Sequence, residues 1–167
     1  ISPEHCEYVR CETRKMDEDM QRGGLVEAAV RALFYIYRFR MIADERRVNL
    51  ALKLIKPQYR QEVSMEEFRG IVRQQARLML HDFDAAIAAL PTLLSRAEPD
   101  DIGALAEWLQ QVLQVPEAPT PDEEASLQQM LEVFDRAVKA QAKALPPDAR
   151  ASDAGPKAKP AKHITPA

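Results

Sequence analysis

The stretch GLVEAAVRALFYIYRFRM, residues 24–41, decides the fold. Leu25, Ala29, Leu33, Ile36 and Phe39 recur at helical spacing, and Val26, Val30 and Tyr37 widen the stripe until most of the circumference is apolar. Such a helix belongs in the middle of a bundle. Its polar positions Glu27, Arg31 and Arg38 are expected on one narrow stripe, with Glu27 and Arg31 spaced as an i,i+4 ion pair.

Helical signals continue downstream. Asp44 can cap a helix carrying Val48, Ala51, Leu52 and Ile55 on one face, ended by Pro57. In VSMEEF, residues 63–68, Ser64 as N-cap and Glu67 three residues later form a capping box, and Val63 can staple onto Phe68. Phe68, Ile71, Val72, Gln75, Leu78 and Met79 give that helix its core face as far as about His81. Asp82 opens the next helix, which Pro91 kinks or restarts. Asp100 or Asp101 is the expected cap of a helix burying Ile102, Leu105, Trp108, Leu109, Val112 and Leu113. Thr120, Pro121 and Glu123 then start an amphipathic helix through Leu127, Met130, Leu131, Phe134 and Val138.

Upstream the periodicity changes. EYVRCETR, residues 7–14, alternates Val9, Cys11 and Thr13 with Tyr8, Arg10 and Glu12, which reads as a strand. A lone strand implies pairing partners elsewhere, upstream or in another chain. The expected architecture is all-α: a compact bundle of about five to six helices, with an N-terminal strand-like extension and linker (1–23), a helical core (24–115), a connector and amphipathic helix (116–145), and a disordered Ala/Pro/Lys tail (146–167).

Composition narrows the function. The 167 residues carry 23 Lys and Arg against 26 Asp and Glu, a mixed surface that does not make nucleic acid the default partner. No apolar run approaches the roughly 20 residues that cross a bilayer, so no transmembrane segment is expected and a cytoplasmic location is favoured. The chain begins with Ile1, as expected of a processed polypeptide or a piece of a longer one. Five scattered glycines leave no nucleophile elbow, phosphate loop or dinucleotide fingerprint, and three separated histidines do not suggest a catalytic triad. No catalytic residue and no cofactor are assigned.

Three groups of side chains are candidates for a site. His5, Cys6 and Cys11 hold soft ligands, but at a spacing unlike zinc knuckles, and ordinary reduced cysteines are the favoured reading. Asp82 and Asp84, with Asp44 and Glu45, would supply carboxylates for a hard cation if the bundle brought them together; capping and dipole roles are the favoured alternative. Arg38, Arg40, Arg46 and Arg47 form a basic cluster able to meet an acidic partner surface, against the commoner outcome of a solvated face.

Three longer stretches carry a resemblance: EYVRCETRKMDED (7–19), GGLVEAAVRALFYIYRFRMIADERRVNLALKLI (23–55) and MEEFRGIVRQQARLMLHDFDAAIAALPTLL (65–94). In this order they resemble the C-terminal region of an uncharacterised bacterial family related to polyhydroxyalkanoate synthases. That resemblance implies an α/β-hydrolase-like domain upstream, with this chain as its non-catalytic helical appendage, an interaction or regulatory module. MIADERR, residues 41–47, is also similar to the aspartate-containing turn of tellurite-resistance B-like domains, whose acidic residues can bind metal. Here Glu45 stands where that turn has glycine, and the motif does not recur. A polymer-granule or lipid surface met through the final amphipathic helix is a further expectation.

Overall fold

The computed structural model describes residues 2–38, 53, 63–114 and 117–144. Among them are seven helices and no strand: α1 (Pro3–Met20), α2 (Leu25–Ile36), α3 (Met65–His81), α4 (Phe83–Ala88), α5 (Leu90–Leu94), α6 (Pro99–Leu113) and α7 (Pro121–Ala144). The protein is all-α, as its periodicity requires. The expected helix beginning at Asp44 and the C-terminal tail lie outside the described residues.

Helix α2 is the axis of the bundle and packs against α3, α4, α5, α6 and α7. Ala28, Ala29, Val30, Ala32 and Ile36 are buried, and three of these are alanines whose small side chains let neighbouring backbones approach. Around them Phe68, Leu90, Leu93, Ile102, Trp108 and Phe134 complete one continuous core. A second small cluster of Met20, Leu78, Met79 and Ala86 sits under the end of α1, with Met16, Phe34, Phe83 and Ile87 packed against it.

The turn before α2 depends on glycine. Gly23 has φ of +106°, a left-handed conformation that a Cβ makes costly, and its carbonyl accepts from Arg96 Nη1 at 2.7 Å. Gly24 then opens the helix with its amide donating to Glu27 Oε2 at 2.8 Å. At α3 the reciprocal cap forms as expected: Glu67 N donates to Ser64 Oγ at 3.1 Å and Ser64 N to Glu67 Oε2 at 2.8 Å. Thr120 and Glu123 repeat the arrangement at α7, at 3.3 and 2.8 Å.

Pro91 acts as a restart. Helix α4 ends at Ala88, Ala89 forms the joint, and Pro91 stands in the first turn of α5, where its missing N–H is harmless. At α6 the N-cap position is Glu98 with Pro99 following, so Asp100 and Asp101 fall inside the first turn rather than at the cap. There their charge faces the positive end of the helix dipole.

The N-terminal segment corrects the strand-like reading. Residues 3–20 form a helix, begun by Ser2 Oγ accepting from His5 N at 3.3 Å and by Pro3 in its first turn. The segment 1–23, expected as a strand-like extension and linker, is consequently helix from Pro3 as far as Met20. The physical reason is hydrogen bonding: alternation over eight residues is a weak signal, a lone strand leaves both backbone edges unpaired, and a helix satisfies its interior internally. The helix signal was the Ser2-Pro3-Glu4 start followed by Met16 and Met20 one turn apart.

Candidate functional site

Arg31 departs most from expectation. The polar stripe predicted along α2 places it outward, yet its side chain is fully buried, as is that of Gln75 on α3. Arg31 Nε donates to Gln75 Oε1 at 2.7 Å, while Nη1 donates to the carbonyls of Met20 at 2.8 Å and Ala86 at 3.1 Å. One guanidinium therefore joins α1, α3 and α4 to α2. Its Nη2 has no hydrogen-bond partner among the described residues. Burial pulls its pKa down from the usual value, and the charge of Glu27 one turn earlier opposes that shift. No contact ion pair joins the two; Glu27 Oε2 instead accepts from Gly24 N.

Two signals could have revealed this node. Arg31 is embedded in AAVRALF, and Gln75 lies on the core face of α3. A polar residue in the middle of each of two apolar faces is the mark of a buried pair.

The carboxylate candidates are placed as follows. Asp82 stands between α3 and α4, and its Oδ1 accepts from Ala85 N at 2.9 Å as the N-cap of α4. Asp84 lies in the first turn of that helix. His81 turns away from both and meets Asp17 of α1 at 3.3 Å. Among the described residues no three His, Cys, Asp or Glu side chains gather as a metal site would need. Asp44 and Glu45 lie outside the described residues.

Of the basic cluster, Arg38 is described; Arg40, Arg46 and Arg47 are outside the described residues. The Arg38 guanidinium lies over the Tyr35 ring at 3.9 Å from its centroid and donates to Ser126 Oγ on α7 at 3.0 Å. Tyr35 in turn bonds Gln129 of α7 and stacks on Phe83 at 6.0 Å. Arg38 thus fastens the end of α2 to α7.

Cys6 and Cys11 are free and exposed on α1. Five residues apart on a helix, their Cα atoms are about 8–9 Å apart and about 140° round the axis, beyond the reach of a disulfide. His5 and Cys6 likewise point in different directions from the same exposed turn.

Helix α7 spends its apolar stripe inside the bundle, where Leu127, Met130 and Phe134 are buried. Its C-terminal half leaves an open groove against α4 and α5, about 660 Å³ in volume, whose lining includes Ile87, Pro91, Val133, Ala137, Ala140 and Ala144. Gln141 holds the geometry, its Nε2 donating to the carbonyls of Leu94 at 2.9 Å and Ala97 at 2.7 Å. Arg136 is the one titratable side chain among the lining residues, so the groove offers apolar contact and a single positive charge. The alanines of α7 are why sequence reading passed over it: they register as helix formers, and only the packing shows that they leave space.

The chain is similar to an uncharacterised protein encoded in the ackA 5′ region of Rhizobium meliloti, with 35% identity over 100 residues. The aligned stretch is 59% of this chain and 13% of that protein, so the likeness covers a small part of a much longer polypeptide. No family of known proteins matches the chain, and no solved structure matches it. No helix among the described residues is long and apolar enough to cross a membrane.

Proposed function

We propose that this chain is a non-catalytic helical interaction module whose partner is a polyhydroxyalkanoate-synthase-like hydrolase domain, met through the groove between α4, α5 and α7. The observation that carries the reading is the groove itself: apolar, lined by exposed or half-buried small residues, and rimmed by Arg136. A helix presenting one apolar stripe with an acidic residue beside it is the complementary shape. Two further facts support the reading. Three polar side chains considered for a site are already engaged: Arg31 and Arg38 hold helices together, and Asp82 caps α4. The similar segment of the Rhizobium meliloti protein is likewise a minor part of a long chain, as an appendage would be.

The test is titration of the 167-residue chain against a separately expressed hydrolase-like domain of the resembling family, followed by calorimetry. A saturable complex is expected, weakened at least about tenfold by Ala140→Glu, which puts a charge into the groove from an exposed position. Absence of binding at the highest attainable concentration, or equal binding by the variant, would overturn the proposal.

A further inference from the structure

Helix α1 is docked at one end only. Met16 and Met20 pack against α3, Asp17 reaches His81, and Arg31 holds the Met20 carbonyl. Every residue from Ser2 to Cys11 is exposed, with Tyr8 64% and Val9 47% accessible. The first half of the helix is an arm in solvent.

Opposite charges stand three residues apart at Glu7–Arg10 and Glu12–Lys15, and Arg10 and Arg14 are a repulsive i,i+4 pair, yet none of Glu4, Glu7, Glu12, Arg14 or Lys15 forms an ion pair with a described residue, so these charges are available to a partner. At 100° per residue, Glu4, Tyr8, Cys11 and Lys15 share an arc of about 60°, well round the helix from the docked methionines. That face is self-complementary when reversed. Glu4 and Lys15 lie symmetrically about a point between Val9 and Arg10, and so do Tyr8 and Cys11. The flanks nearly obey the same symmetry, pairing Glu7 with Arg14 on one side and His5 with Glu12 on the other. A parallel partner would instead set Glu4 against Glu4 and Lys15 against Lys15.

We infer that the outer face of the α1 arm is a self-recognition surface, which pairs antiparallel about a two-fold axis with the same arm of a second copy of this chain. Each pair of copies then places Tyr8 over Cys11, with Glu4 and Lys15 forming the outer ion pairs twice over, as an isologous contact must. Four helical turns bury less than the roughly 1,200 Å² of a standard interface, so the dimer is weak and concentration-dependent. Rim charges give it orientation more than strength. The inference is independent of the groove and of what occupies it.

Sedimentation equilibrium of the full chain under reducing conditions, over a wide concentration range at low salt, tests it. The weight-average mass is expected to rise toward the dimer; Glu4→Lys and Lys15→Glu should each weaken association at least about fivefold, and the double variant should restore it. Both substitutions are at exposed helix positions, and circular dichroism checks that each variant stays folded. In a Cys6→Ala background, Tyr8→Cys should give a covalent dimer on mild oxidation, faster than the background alone. A mass that stays monomeric throughout, association that ignores the single changes, or a double variant no better than the singles would overturn the inference.

Discussion

Replacing Arg31 with methionine keeps the stem and removes the guanidinium. Three acceptors then lose their donor in a buried setting: Gln75 Oε1 and the carbonyls of Met20 and Ala86. A buried acceptor left unsatisfied costs about 1–3 kcal/mol. Against this, the variant is relieved of desolvating a charge whose Nη2 is unpartnered, so a net loss of about 3–5 kcal/mol is expected, typical of breaking a buried polar network. Trp108 is the single tryptophan and fully buried, so its fluorescence reports unfolding in urea. With a slope of about 2 kcal/mol per molar, the midpoint should fall by about 2 M. Adding Gln75→Leu removes one of the orphans, and the double variant should recover about 1–2 kcal/mol relative to the sum of the singles. A single variant costing less than about 1 kcal/mol, or a double variant that is merely additive, would refute the node as described.

Ser64→Ala should raise the Glu67 titration midpoint only part of the way to the usual carboxylate range, because it removes the Ser64 side chain but keeps the backbone N–H, the larger cause of the depression. Because the folded value is depressed, the contribution of this cap is present above the ordinary carboxylate range and is lost as pH falls through the depressed value. Titration of Glu67 by NMR checks this, and an unchanged midpoint in the variant would contradict it. Gly23→Ala should cost about 1–3 kcal/mol in urea melts, since a Cβ there meets Glu27 Cγ at 2.7 Å and disfavours the left-handed backbone. Thr120→Ala should cost about 1 kcal/mol by removing half of the cap of α7, and a change within error would show that cap to be idle. Trp108→Phe should cost less than Trp108→Ala, for which about 3–5 kcal/mol is expected in a thermal or urea series; equal losses would deny a volume-dependent core.

Helix class and most boundaries were legible because the signals were redundant. At Ser64 and Thr120 a cap, a reciprocal acid and an apolar face agreed, and the structure reproduces them. The N-terminus was misread where they did not agree. Alternation from Tyr8 to Thr13 outweighed a start at Ser2-Pro3, although the alternating side chains have nothing to pack against on either face. Arg31 was misread for a different reason: a helical wheel assigns every charge to the outside, and a charge is buried only when a polar group on another helix comes to meet it. Gln75 does so from 44 positions away. The groove escaped notice because it is built from what alanines leave unfilled.

The arm and the groove, at different places on the bundle, are wired to one donor. Arg31 Nη1 serves both the last residue of α1 and Ala86, and the next residue, Ile87, is already groove wall. Loss of that one donor is therefore expected to loosen the root of the arm and the wall of the groove together.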